Sequence, residues 1–162
     1  QREGTIKMGI ESIENVAVIG AGTMGSQIAM VCSLAGYPVT LQDVSAESLE
    51  KAKQFLGIQM EKRVKKGRFT AEEVEAAFSR ITFTASLHEL KEADLVIEAI
   101  VEKLDVKREL FKKLDEITPP HAILATNSST IVSSKIVDVT GRPEKVCNIH
   151  FFNPALVMEL VE

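Results

Sequence analysis

Apolar and polar positions along the chain follow two rhythms. Short runs rich in β-branched residues fall at 13–19, 37–42, 81–84, 95–101, 122–126 and 146–152 and predict strands. Between them apolar residues recur at three- and four-residue spacing, which predicts helices over 23–35, 46–66 and 104–117, with a short helix around 131–137. Strands separated by helices are the mark of repeated βαβ units on a parallel sheet. The run 95–101 is almost continuously apolar and is broken only by Glu98, as expected of a strand buried on both faces. Residues 158–161 read as one more strand.

Local punctuation agrees with this division. Gly36 stands at the stop position of the first helix and Gly67 at that of the long second one. Thr70 and Glu73 form the Thr-x-x-Glu pattern of a capping box, so a further helix begins there and two helices precede the third strand. Pro154 lacks an N–H for a ladder and biases Asn153 towards extended geometry, so Phe152-Asn153-Pro154 ends the sixth strand. The predicted fold is α/β: a Rossmann-type, doubly wound, mostly parallel sheet over residues 13–162, with a helical insertion before the third strand. Residues 1–12 fit no element and are expected to be a disordered leader.

Composition narrows the function classes. The chain has 162 residues, 45% of them hydrophobic and 26% charged, with a net charge of −4, which argues against a disordered chain or a basic nucleic-acid coat. An anionic ligand must therefore be held by local geometry. The acidic net charge makes nucleic acid an unexpected partner, and no run approaches the ~18 apolar residues of a spanning helix, so a membrane is not expected either. Cys32 and Cys147 stand far apart without Cys-x-x-Cys or Cys/His spacing, so no metal or disulfide site is expected. They read as small buried hydrophobes in a reducing compartment, the cytoplasm or, in a eukaryote, the mitochondrial matrix.

Gly20-Ala21-Gly22-Thr23-Met24-Gly25 spells G-x-G-x-x-G between a strand and a helix, and takes three of the chain's nine glycines. In this context the first glycine allows the tight turn, the second lets backbone N–H groups approach a pyrophosphate, and the third lets helix and strand pack closely. The helix N-terminus adds unpaired donors and partial positive charge. Asp43 ends the second strand 18 residues after Gly25, near the ~20-residue offset at which an acid takes the adenosine ribose hydroxyls. Val44, Ser45, Ala46 and Glu47 provide no base for a 2′-phosphate, so the expected cofactor is NAD.

In an open parallel sheet the ligand lies at the carboxyl ends of the strands. The polar residues there are Glu98 and Glu102, Asn127-Ser128-Ser129-Thr130, His150 to Pro154, and Glu162. Glu98 is expected to bond backbone near the cofactor, and Ser128 and Ser129 are also able to cap the segment that follows. His88 and His121 fall in surface-like segments and are read as structural.

GAGTMG, EAIVE, TNSST, HFFNP and MELVE, in this order and spacing, resemble the N-terminal domain of the short-chain L-3-hydroxyacyl-CoA dehydrogenases, including bacterial 3-hydroxybutyryl-CoA dehydrogenases, over residues 13–162. The resemblance implies NAD-dependent oxidation of (S)-3-hydroxyacyl-CoA to 3-ketoacyl-CoA and its reverse. It assigns proton transfer to His150, orientation of that ring to Glu162, and contact with the substrate 3-oxygen and the nicotinamide to Ser129. Glu102, Lys107 and Asn153 match cofactor-contacting positions. A histidine of ordinary pKa near ~6.5 suits this role, because oxidation of a 3-hydroxyl releases a proton from oxygen as hydride leaves carbon.

Five basic residues, Lys62, Arg63, Lys65, Lys66 and Arg68, crowd the C-terminal end of the second helix, where they complement the helix dipole. Gln59 and Lys66 share a face there, and the resemblance makes Lys66 a ligand of coenzyme A; Gln59 replaces the family's serine. The family continues into an all-helical domain that closes the substrate cleft and forms a homodimer, and residues 1–162 are expected to lack it. Two other readings stay open: a stand-alone NAD-binding module without catalysis, and another GxGxMG dehydrogenase acting on a small hydroxy acid. His150, Ser129 and Glu162 argue against the module, and the His/Glu pair against the second.

Overall fold

The computed structural model describes residues 13–158 and 161–162; the expected leader and part of the last predicted strand lie outside the described residues. The elements run β1 (Val16–Ile19), α1 (Thr23–Leu34), β2 (Val39–Gln42), α2 (Ala46–Lys65), α3 (Ala71–Ser79), β3 (Ile81–Thr84), β4 (Leu95–Glu98), α4 (Leu104–Ile117), β5 (Ile123–Thr126) and β6 (Val146–Asn148). The six strands form one sheet in the order β3-β2-β1-β4-β5-β6, every pair parallel. This is the Rossmann order, with its reversal between β1 and β4.

The two-residue period of a strand sorts the core into two layers. Val16 and Val18 of β1 pack with Ile28, Leu56 and Met60 under α1 and α2, whereas Ala17 and Ile19 pack with Phe111, Leu114 and Ile136 on the other side. Helix α4 contributes Phe111 and Leu114, both fully buried and one turn apart, and burial of each side chain is worth roughly 1.5–3 kcal/mol. Ser45 caps α2 by accepting from the Ser48 N–H at 3.1 Å, and Thr70 caps α3 by accepting from Glu73 N–H at 3.1 Å. The expected capping box is therefore half made: the Glu73 carboxylate takes the Thr70 hydroxyl rather than a backbone N–H.

Several predicted boundaries move for identifiable reasons. β2 begins at Val39 because Gly36 and Tyr37 N–H groups still close the end of α1, bonding the Ser33 and Cys32 carbonyls. Residues 131–137 do not form an α-helix but two 3-10 turns, Ser133–Lys135 and Val137–Val139. The Asn148 side chain claims the Ser133 N–H at 2.7 Å, a donor that an α-helix would have used internally. β6 is shorter than 146–152: Ile149 N–H still reaches Thr126 O, but His150 turns to pair with Glu162. Of the strand expected at 158–161, the described part is one antiparallel bridge between Phe151 and Val161.

Candidate functional site

The glycine turn is shaped by contacts that exclude side chains at two of its three glycines. Gly20 has φ +104°, and a Cβ there would stand 2.6 Å from the Ala99 carbonyl oxygen. A Cβ on Gly25 would fall 1.7 Å from the Gly20 carbonyl oxygen, an impossible overlap. A Cβ on Gly22 would meet no protein atom within 4 Å, so this glycine answers to nothing inside the molecule. Gly22 also begins α1 without a side-chain cap, which leaves the first-turn N–H groups open for an anion. The cradle thus fits a dinucleotide pyrophosphate.

Asp43 lies beside this turn with both carboxylate oxygens engaged. Oδ2 accepts from Ala21 N–H and Oδ1 from Ser45 N–H, each at 2.9 Å. The acid expected to meet the ribose thus also ties the turn to the start of α2. Each oxygen keeps a lone pair, so ribose hydroxyls are still able to donate to it.

At the end of β4 the chemistry is buried. Glu98 and Lys107 are both fully inaccessible, and the Lys107 ammonium lies 2.9 Å from Oε1 and 2.7 Å from Oε2 of Glu98. Glu98 also accepts from the Thr126 hydroxyl and, as expected, from a backbone N–H, that of Ile100, both at 2.7 Å. Lys107 reaches Glu102 Oε1 at 3.5 Å. Glu102 is half exposed and accepts from the Ser128 hydroxyl and, at 2.7 Å, from that of Thr130. Partial burial disfavours its charged form, but the Ser128 and Thr130 hydroxyls and the Lys107 ammonium outweigh that and hold its carboxyl below the usual range. The Ser128 oxygen in turn accepts from Ile131 N–H at 2.7 Å, so Ser128 braces its own loop rather than capping a helix. Ser129, its neighbour, is exposed at the surface of the same loop.

The chain then brings His150 to the same edge. Asn127 Oδ1 accepts from Phe151 N–H at 2.9 Å, which fastens the HFFNP segment to the end of β5. His150 and Glu162 exchange backbone hydrogen bonds of 2.6 and 2.9 Å, and Nδ1 lies 4.0 Å from the Glu162 carboxylate. The Phe152 ring packs 5.0 Å from the imidazole, centre to centre. Asn153 is exposed beyond it.

A cleft of about 900 Å³ runs from the N-terminal turn of α1 to the end of α2, with Asn153 and Val161 on one wall and Gln59 and Lys66 on the other. The two residues assigned to coenzyme A therefore face the segment that carries His150 across one cavity. Arg63 and Arg68 also line it, so its far end is basic. Of the other histidines, His88 is exposed, as expected, whereas His121 is not simply a surface residue: its Nε2 lies 2.7 Å from Asp94 Oδ1. Among the described residues no group of three potential metal ligands occurs, and no helix is long and apolar enough to cross a membrane.

Residues 15–162 match the profile of the 3-hydroxyacyl-CoA dehydrogenase NAD binding domain. The chain belongs to the 3-hydroxyacyl-CoA dehydrogenase family. It is 45% identical over 151 residues to 3-hydroxyadipyl-CoA dehydrogenase of Escherichia coli K12, covering 93% of this chain and 32% of that protein. The probable 3-hydroxybutyryl-CoA dehydrogenase of Bacillus subtilis is 44% identical, with 93% and 52% covered. Among solved structures, (S)-3-hydroxybutyryl-CoA dehydrogenase of Ralstonia eutropha superposes with a TM-score of 0.90 at 37% identity, over 93% of this chain and 53% of that one. The chain thus spans a third to a half of the relatives it matches. For this 3-hydroxyacyl-CoA dehydrogenase domain the family sets the cofactor as NAD.

Sequence reasoning missed the Glu98–Lys107 pair. The signal was present: Lys107 stands four residues before Phe111 and seven before Leu114, on the apolar face of α4, so its ammonium had to find a buried anion. It also missed Thr126 as a third member, and Arg142, whose guanidinium is buried against Asp115 and the carbonyls of Pro119, Ala122 and Thr118.

Proposed function

We propose that this domain is the cofactor-binding half of an enzyme that oxidises (S)-3-hydroxyacyl-CoA to 3-ketoacyl-CoA, or runs the reverse reduction. The observation that carries the reading is the meeting of the glycine cradle, the Ser129 loop and the His150–Glu162 pair at one sheet edge, beside a cleft whose far end holds Lys66. NAD, when bound, supplies the hydride acceptor. Asp43 takes the adenosine ribose and the α1 N-terminus the pyrophosphate, which directs the nicotinamide towards Glu102, Ser129 and Asn153.

His150 does the proton work. With Nδ1 turned to Glu162, Nε2 is the nitrogen that removes the proton from the substrate 3-hydroxyl as hydride leaves C3, and returns it in the reduction. Glu162 stabilises the imidazolium and fixes the tautomer, as the carboxylate does in a Ser-His-Asp triad. Ser129 donates to the 3-oxygen. Lys66, with Gln59 beside it, holds the coenzyme A end of the substrate, and the two-walled cleft leaves room for the acyl chain between.

The cleft, walled by this domain yet open to solvent, fits a chain that works together with the helical domain expected from the family, which would cover it and join two copies as a homodimer. The two unpaired cysteines, Cys32 and Cys147, fit a reducing compartment, cytoplasmic or matrix, and burial, which pushes the Cys32 thiol up to about 11 and raises that of Cys147, makes both poor nucleophiles. The test is acetoacetyl-CoA-dependent oxidation of NADH by this domain fused to the helical domain of a relative. Turnover with the thioester and none with free acetoacetate is expected. Equal rates with both would rule out the coenzyme A assignment.

A further inference from the structure

The chemistry above leaves one buried carboxylate without a task. Glu98 ends β4 in the strand next to β1, wholly inaccessible, and collects Lys107 twice, Thr126 Oγ1 and Ile100 N–H. Its partners come from three different elements: α4, β5 and the β4–α4 connection. A fully buried ion pair is an expensive way to hold three elements together, because desolvation of both ions offsets much of their attraction, and well-packed apolar residues serve stability equally well. What an apolar replacement would lose is direction. Lys107 has three N–H donors; two point at Glu98, and the ammonium is left 3.5 Å from Glu102 Oε1. Glu102, so placed, takes the hydroxyls of Ser128 and Thr130 on its other oxygen, and these two residues bracket Ser129.

We propose that Glu98 is a positioning residue for the nicotinamide side of the site: through Lys107 it holds Glu102, and through Glu102 it fixes the Ser128–Thr130 loop that carries Ser129. The inference rests on the cofactor and Ser129 assignments proposed above. Among the described residues, a removed Glu98 charge leaves Glu102 as the carboxylate within reach of the Lys107 ammonium. Glu102 then swings inward to pair with it and releases Ser128 and Thr130. The cofactor site loosens although no residue touching the cofactor has been changed.

The test is made on the 162-residue chain with NADH, followed by fluorescence, thermal unfolding and the backbone amide spectrum. Glu98→Gln is expected to weaken NADH binding by about tenfold, a coupling of ordinary size for residues in one network. It should also shift the Ser128, Ser129 and Thr130 amide signals before any NADH is added. In a Glu102→Gln background the same change should have almost no further effect on affinity, because the relay is already cut. Should Glu98→Gln alone fail to fold, Glu98→Gln with Lys107→Met removes both charges at once. That pair is expected to recover the unfolding temperature but not the loop signals.

Additive losses for Glu98→Gln and Glu102→Gln would overturn the proposal, as would unshifted loop amides in the ligand-free variants. Recovery of both stability and loop signals in the charge-free pair would make Glu98 a structural residue only. Failure of the unmodified chain to bind NADH would instead overturn the functional reading beneath it.

Discussion

At position 43 the carboxylate that spacing assigns to the ribose already holds two backbone N–H groups, one from the glycine turn. Replacement by alanine should therefore weaken NADH binding in two ways, by loss of the ribose acceptor and by loosening of the turn. The native domain should prefer NADH to NADPH, since the 2′-phosphate would face this carboxylate with no compensating base nearby. Equilibrium titration of both cofactors checks this, and equal affinity would refute it. Two other carboxylates contribute to the acid limit of stability. Asp94 is held low despite its burial by a hydrogen bond from His121 and by the Asn15 and Glu14 N–H groups, and Glu102 by Ser128, Thr130 and Lys107. Both folded values lie below the unfolded ones, so their stabilisation is complete above the ordinary carboxylate pKa of about 4 and is lost as pH falls through the lowered values. Melting temperature should be flat down to about pH 5 and fall below about pH 4, and Asp94→Asn should make the acid side shallower.

At the scale of the element, the turn between β1 and α1 separates folding from binding residue by residue. Gly25→Ala would drive a methyl group into the Gly20 carbonyl, 1.7 Å away, and is expected to abolish stable folding. Gly22→Ala meets nothing within 4 Å and should cost less than about 1 kcal/mol of stability, yet its methyl group would intrude where the pyrophosphate approaches. Circular dichroism melts with NADH titration distinguish the two; equal behaviour of the variants would undo the assignment of Gly22 to the ligand. The elements themselves were largely legible. β4 and α4 follow directly from the run around Glu98 and the spacing of Phe111 and Leu114, because periodicity records burial. The 3-10 turns after Val132 and the early end of β6 were not legible, because they depend on Asn148 and Glu162 reaching backbone groups distant in sequence. The same limit hid the partner of Lys107: its place on an apolar face announced a buried charge, while the fold alone supplied Glu98.

Over the whole molecule the proposed reaction edge borders an open cleft. The cleft is flanked by Val157, Met158 and Val161, exposed to 61%, 42% and 46%. Such a patch invites cover, so the 162-residue chain is expected to self-associate at high concentration, and light scattering that finds a clean monomer would contradict this. Fusion to a family helical domain should both suppress the association and raise turnover by orders of magnitude, since closure excludes water and completes the site. In that fused form His150→Gln gives the most direct test of the account. Its kcat for acetoacetyl-CoA reduction should fall by about 10²–10⁴-fold, the usual worth of a general acid–base, while NADH affinity stays within about twofold of the native value. Undiminished kcat in that variant would show that His150 does not move the proton.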